Sequence, residues 1–185
     1  MFAPSDQYVP QCATHEVARG KALVVWGVVA VGVLSVLALV FLAPVALAHG
    51  YSFLALSIYQ GFRYVCHQIP ERSFYVAGHP LAVCARCTGI YAGLAAGVII
   101  YPLVRSIGKI ETPRREWLLL ALVPMTVDFS LTFFGVWQNT HLSRFLTGAL
   151  FGSVAALYIV PGLIDLARMV GAGLATRRRE RQVGA

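Results

Sequence analysis

The chain has 185 residues, of which 58% are hydrophobic and 12% are charged. Soluble domains average about 25% charged residues, so this composition excludes an ordinary water-soluble protein and indicates an integral membrane protein. The net charge is +7, but the basic residues mostly flank apolar segments. We therefore expect them to face anionic lipid, and we expect no nucleic-acid surface.

Four segments are apolar enough to cross a membrane, since a span needs roughly 20 mostly apolar residues. In chain order they are residues 22–47, 88–104, 117–137 and 145–169. Residues 51–64 are apolar and aromatic, but they are short and interrupted by Gly61 and Arg63, which predicts an interfacial helix. The predicted fold is all-α: an integral membrane four-helix bundle with a short extracytoplasmic cap that contains cysteines and histidines.

This reading divides the chain into five consecutive parts. A cytoplasmic N-terminal segment (1–21) precedes the first transmembrane helix (22–48), and the extracytoplasmic interfacial cap (49–87) follows. The core of three transmembrane helices (88–170) then leads into a basic cytoplasmic tail (171–185).

Lysine and arginine residues concentrate on one side of the predicted spans. Four lie on the side of the cap: Arg63, Arg72, Arg86 and Arg144. The other eleven lie on the opposite side: Arg19, Lys21, Arg105, Lys109, Arg114, Arg115, Arg168, Arg177, Arg178, Arg179 and Arg181. Because basic residues mark the cytoplasmic side, this bias predicts a multi-pass protein of the inner (plasma) membrane with both termini in the cytoplasm.

The first apolar segment has an alternative interpretation as a cleaved signal peptide. Arg19 and Lys21 precede it, and residues 46–48 (Ala-Leu-Ala) have the small-residue form of a cleavage site. The apolar run is longer than the 7–15 residues usual for a signal peptide. An anchored first helix is therefore favoured.

Three of the four cysteines lie in the predicted cap: Cys66, Cys84 and Cys87. With an imidazole from His67 or His79, these thiols make a Cys3His set that suits tetrahedral zinc or another transition metal. His67 directly follows Cys66, which makes it a poor second ligand for the same ion, whereas His79 lies five residues before Cys84. The leading hypothesis is a metal site with a structural or metal-handling role.

The same thiols allow a redox interpretation. Cys84 and Cys87 form a C-x-x-C at the start of the second span, where helix-end amides and Arg86 would stabilise a thiolate. The alternative function is a quinone-linked membrane thiol–disulfide oxidoreductase that uses these two cysteines, with quinone bound near Arg86 or Arg144. Such enzymes usually work with two cysteine pairs, and this cap holds three thiols. A purely structural role for the cysteines in helix packing also stays open.

Asp128 lies inside the third predicted span, where an unpaired carboxylate is costly. Arg144, just before the fourth span, is its expected partner, and Asn139 and His141 belong to the same turn. Two interpretations remain open. The pair is either a structural link between two helices or part of a polar path in an accessory or transport subunit.

Glycines recur every fourth residue in the second and fourth spans: Gly89, Gly93, Gly97, Gly148 and Gly152. Small residues at this interval let helix backbones approach closely in lipid. We therefore expect these two spans to touch, which would bring Cys84 and Cys87 close to Arg144.

The motifs resemble those of a known family. Residues 66–74 (CHQIPERSF) and 84–93 (CARCTGIYAG) look like the hallmark of the DUF2085 family of small prokaryotic membrane proteins, and Asp128, Asn139 and residues 144–148 (RFLTG) are similar to its second motif. The family name records an unknown function, so the resemblance implies a membrane protein without choosing among metal, redox and structural roles. The expected partners are the lipid bilayer and either a second copy of the chain or another membrane subunit.

Overall fold

A computed structural model describes residues 11–107 and 112–183. Within these ranges the chain forms five α-helices: α1 (Gln11–Ala48), α2 (Ser52–Arg63), α3 (Ala85–Val104), α4 (Glu116–Phe133) and α5 (His141–Val183). A 3-10 turn (Pro70–Arg72) and two short strands, β1 (Tyr75–Val76) and β2 (His79–Pro80), lie between α2 and α3. The predicted all-α class is confirmed.

Part of the charge pattern used to predict orientation lies outside the described residues. This applies to Lys109 and to the side chains of Arg177, Arg178, Arg179 and Arg181, and residues 1–10 and the side chain of Cys12 also lie outside the described part of the chain. The side of the membrane on which each end of the bundle lies therefore stays a prediction.

Four helices are long and apolar enough to cross a membrane: Arg19–Ala48 within α1, all of α3, all of α4, and His141–Gly171 within α5. These four confirm the predicted spans, with differences at the ends. The third span was predicted to continue to residue 137, but α4 ends at Phe133. Gly135 has φ +71° in the turn that follows, and a right-handed helix cannot include that conformation. The helix predicted for residues 51–64 is present as α2, and its position relative to a bilayer stays a prediction.

Close packing of α3 against α5 forms the centre of the bundle. Gly93 of α3 lies against the backbone of Ala149, and Gly152 of α5 lies against the backbone of Ile90, so a Cβ at either glycine would overlap a carbonyl oxygen. Lipid supplies no hydrophobic drive between helices, and such backbone contact supplies the attraction instead. The predicted contact between the second and fourth spans is confirmed.

The other two spans pack on this pair in different ways. α1 packs on α3, where the indole Nε1 of Trp26 donates a hydrogen bond of 2.8 Å to the carbonyl oxygen of Val98. α4 packs mainly on α5, and within it Ala121 is the buried residue. The site described below lies where α4 meets the beginning of α3 and of α5.

We call residues 64–84 the hairpin segment, because they fold into a small antiparallel hairpin between α2 and α3. Val76 pairs with His79, and the two residues between them, Ala77 and Gly78, have φ +51° and +80°. Positive φ at both positions is typical of the two-residue turns whose twist matches a hairpin. The segment also packs inward, and its Leu81 and Val83 form a buried cluster with Val40 of α1 and Cys66.

Candidate metal centre

The sulfur atoms of Cys66, Cys84 and Cys87 all lie within 4.8 Å of one another. Cys66 belongs to the hairpin segment, Cys84 is the N-cap of α3, and Cys87 lies in the first turn of that helix. Zinc bound at about 2.3 Å from each thiolate in a tetrahedron separates the sulfurs by roughly 3.8 Å. The three thiols are therefore close to the spacing that one ion requires.

The surroundings of the thiols favour the ionised form of one of them. Cys66 is buried, and its sulfur accepts a hydrogen bond of 3.2 Å from the backbone N–H of Cys84. Hydrogen bonds from the side chains of Cys66 and Cys87 hold the pKa of Cys84 well below its ordinary value, against the opposing effect of burial. Because the thiolate is the form that binds metals, this arrangement provides one thiolate ligand among the three cysteines.

A glutamine fixes the position of Cys66. Gln68, two residues on, has φ +51°, and its Nε2 donates hydrogen bonds of 2.7 Å to the carbonyl oxygen of Tyr59 and 2.8 Å to that of Ala82. One side chain thus joins α2 to the bend that leads into Cys84. Gln68 belongs to the motif at residues 66–74, but the sequence alone predicts no role for it.

The two candidate histidine ligands are not brought to the thiols. Among the described residues, the potential ligand atoms that gather around Cys84 belong to the three cysteines. His67 is exposed while its neighbour Cys66 is buried, because their side chains point in different directions. His79 is held in β2 by its pairing with Val76. The structure thus brings the three predicted thiols together, and a histidine as the fourth ligand stays a prediction.

Asp128 is bonded to a different arginine from the one predicted. Arg86 donates from Nη2 to Asp128 Oδ2 over 2.5 Å, while the Nδ2 of Asn139 and the Oγ of Ser143 each donate to the carboxylate over 2.9 Å. Arg144 reaches this carboxylate through Asn139, to whose Oδ1 its Nε donates over 2.6 Å. The prediction of an Arg144–Asp128 pair is thus corrected, and the bonds favour the structural interpretation of Asp128.

The sequence alone did not predict the roles of several residues near this network. Ser143 was missed altogether, although a hydroxyl one turn from Asn139 at a helix start is a common partner for a carboxylate. Arg86 was considered only as a thiolate or quinone partner. His141 is the first residue of α5, and its ring packs beside Phe74, with ring centroids 5.7 Å apart.

A cavity of about 610 Å³ adjoins the thiols. Cys84 and Cys87 form part of its wall, together with three arginines, Arg72, Arg86 and Arg144. The predicted proximity of the C-x-x-C to Arg144 is therefore confirmed. The rest of the wall is largely apolar and includes Ile90, Met125, Phe129 and Phe133.

Comparison with known proteins decides the family. Residues 66–158, half of the chain, match the family described as predicted membrane protein (DUF2085). The chain belongs to the DUF2085 family. The matched range contains the three thiols, Arg86, Asp128 and Arg144, so the candidate site lies in the part of the chain that defines the family.

Two archaeal relatives carry no assigned function. An uncharacterized protein of Methanocaldococcus jannaschii is 36% identical over 132 residues, which cover 69% of this chain and 85% of that protein. An uncharacterized protein of Methanothermobacter thermautotrophicus is 37% identical over 87 residues, which cover 47% of this chain and 77% of that protein. No solved structure matches the chain.

Proposed function

We propose that this DUF2085 protein binds one transition-metal ion, with zinc the first candidate, through Cys66, Cys84 and Cys87. The observation that carries the proposal is that three thiol sulfurs lie within 4.8 Å of one another, although strands β1 and β2 separate Cys66 from Cys84 and Cys87 in the chain. Thiolates are soft ligands that favour zinc and other late transition metals. A bound ion would tie the hairpin segment to the start of α3.

The number of thiols bears on the role of the ion. Closed structural zinc sites have four protein ligands, whereas sites that exchange ligands or react keep one position open. Among the described residues, three ligand atoms come together. We therefore favour metal handling, with an exchangeable fourth ligand, over a purely structural site. With the orientation that the positive-inside rule predicts, the metal would be acquired or released on the side opposite the cytoplasm.

Metal analysis of the full-length protein in detergent tests this proposal. We expect about one zinc ion per chain, because the thiols form one site. We expect loss of that ion when Cys66, Cys84 or Cys87 is replaced by Ser. Cys12→Ser is the matched control and should retain the metal. Substoichiometric metal in the wild-type protein, or metal content unchanged by the double replacement Cys84→Ser and Cys87→Ser, would refute the proposal.

A second candidate function is a thiol–disulfide oxidoreductase coupled to a quinone. Cys84, Cys87, Arg86 and Arg144 line the same cavity, and the pKa of Cys84 is lowered by its hydrogen bonds to Cys66 and Cys87. In the reaction the two thiols would form one disulfide and pass two electrons and two protons to a quinone, giving a quinol.

Thiol trapping separates the two candidates. The redox candidate predicts that Cys84 and Cys87 convert between dithiol and disulfide when the medium changes from reducing to oxidising. The metal candidate predicts thiols that resist alkylation until a chelator is added. A pair that stays reduced under both media excludes the oxidoreductase.

A further inference from the structure

Three arginines from different parts of the fold converge on the cavity beside the thiols. Arg72 comes from the 3-10 turn, Arg86 from the first turn of α3 and Arg144 from the first turn of α5. Bringing like charges together is unfavourable unless negative charge compensates them. Among the described residues, the carboxylate that compensates these arginines is that of Asp128, which forms an ion pair with Arg86.

Most N–H groups of these three guanidiniums donate no hydrogen bond to any described residue. The Nε of Arg86 is buried and has no hydrogen-bond partner there. Arg144 donates from Nε to Asn139, and the guanidinium of Arg72 forms no hydrogen bond or ion pair with any described residue. Each guanidinium carries five N–H donors. The cavity therefore offers both excess positive charge and free donors.

The remaining wall is suited to an apolar chain. Phe129 and Phe133 of α4 are 53% and 74% exposed, although both lie in a helix that is apolar enough to cross a membrane. Their exposed rings would contact lipid, so the cavity extends from the arginines towards the hydrocarbon. The other apolar residues of this wall are Ile90 and Met125.

We propose that this cavity binds a phosphate group, held by Arg72, Arg86 and Arg144. The planar fork of arginine matches the oxygens of a phosphate and forms paired, charge-assisted hydrogen bonds with them. The apolar wall accommodates an acyl chain when the phosphate is the head group of a lipid.

The proposal does not depend on the metal. Three guanidiniums and one carboxylate leave two positive charges at the cavity, and the Cys84 thiolate of the metal-free protein reduces this to one. A zinc ion on three thiolates carries one negative charge, which still leaves one positive charge. An anion is attracted in both cases, so loss of the metal and loss of the phosphate site are separate outcomes.

Binding to the full-length protein in an uncharged detergent tests the proposal with three probes. The probes are oleoyl-lysophosphatidic acid, monooleoylglycerol, which has the same chain without phosphate, and inorganic phosphate. We expect saturable binding of the lysophosphatidic acid and none of the monooleoylglycerol. We expect binding at least about tenfold weaker in Arg72→Gln and in Arg144→Gln, from the loss of charge-assisted hydrogen bonds. Arg63→Gln, which changes an exposed arginine of α2 outside this cavity, is the matched control and should bind normally.

The outcomes distinguish the source of the phosphate. Competition by inorganic phosphate, with comparable affinity, identifies a soluble oxyanion as the ligand, whereas binding of the lysophosphatidic acid alone identifies a lipid head group. Absence of saturable binding of either phosphate probe would overturn the proposal, as would binding that Arg72→Gln and Arg144→Gln leave unchanged. Arg72 is exposed in a short turn, so its replacement should not prevent folding, and size-exclusion chromatography checks this.

Discussion

Arg86 and Asp128 are 42 positions apart in the chain, and their side chains form an ion pair with an Nη2–Oδ2 distance of 2.5 Å. Arg86 stands between Cys84 and Cys87, so the pair connects the thiol-bearing start of α3 to α4. α4 otherwise packs mainly on α5. The two motifs of the family are thus joined by a direct bond.

Replacement of one member of this pair should destabilise the protein more than replacement of both. The two side chains are 20% and 10% exposed, and Arg86→Gln leaves a largely buried carboxylate without its cation. We expect a loss of about 3 kcal/mol in the free energy of unfolding for Arg86→Gln, with part of it recovered when Asp128→Asn is added. Unfolding titrations of the two single variants and the double variant measure this coupling. Strictly additive losses would contradict a direct interaction.

The contact between α3 and α5 depends on glycines that accept no Cβ. Gly152→Ala should lower the free energy of unfolding by about 2 kcal/mol, because the new methyl group meets the backbone of Ile90. Gly162→Ala is the control in the same helix, since nothing lies within 4 Å of a Cβ there. This control should be neutral or stabilising by up to about 1 kcal/mol, from the higher helix propensity of alanine. Equal effects of the two replacements would argue against the packing described.

Metal content should survive loss of either candidate histidine. Neither imidazole joins the three thiols among the described residues, so we expect His67→Ala and His79→Ala to retain about one zinc ion per chain. Elemental analysis of the purified variants measures this. Loss of the metal in one variant alone would identify that histidine as the fourth ligand, and the three-thiol site would be wrong in that detail.

The attachment of α2 to the hairpin should weaken in alkaline solution. Burial raises the pKa of Tyr59 above its ordinary value, and its hydroxyl donates a hydrogen bond of 2.5 Å to the carbonyl oxygen of Pro80. A raised pKa gives a stabilisation that is fully present below the unfolded-state pKa of about 10 and is lost as the pH rises through the folded-state pKa.

Replacement of Tyr59 tests this attachment. Tyr59→Phe should cost about 1 kcal/mol near neutral pH and should reduce the further loss of stability above about pH 10. Thermal unfolding in detergent at several pH values measures both effects. Tyr51→Phe, at a tyrosine that is 66% exposed, is the control and should behave as the wild-type protein. An unchanged alkaline loss in Tyr59→Phe would show that other groups cause it.

The parts of the structure that follow from local sequence properties were predictable. The apolar length of each span predicts its helix. The four-residue interval of the glycines predicts the contact of α3 with α5, because an interval close to the helix period places the glycines on one face. The clustering of Cys84 and Cys87 near Arg144 follows from that contact. Each of these features depends on spacing along one helix or on a single pair of helices.

Features that depend on the rotation of a helix about its own axis were not predictable. Depth in the membrane made Arg144 the expected partner of Asp128, but the face that α4 presents to α3 decides the pairing and selects Arg86. The hairpin was also missed, since Ala77-Gly78 lacks the Asn-Gly or Asp-Gly pair that usually marks such a turn. Without the hairpin, the position of His79 relative to the thiols could not be inferred.

The two hydrogen bonds of the Gln68 amide affect how a metal ion would bind at the site. Together with the bond from the Cys84 backbone to the Cys66 sulfur, they position the ligands through protein contacts alone. Small zinc domains, by contrast, fold only when the ion arrives. Here the conformational entropy of the ligand side chains is lost when the polypeptide folds. An incoming ion would therefore meet a preorganised set of ligands, and its binding would not require refolding.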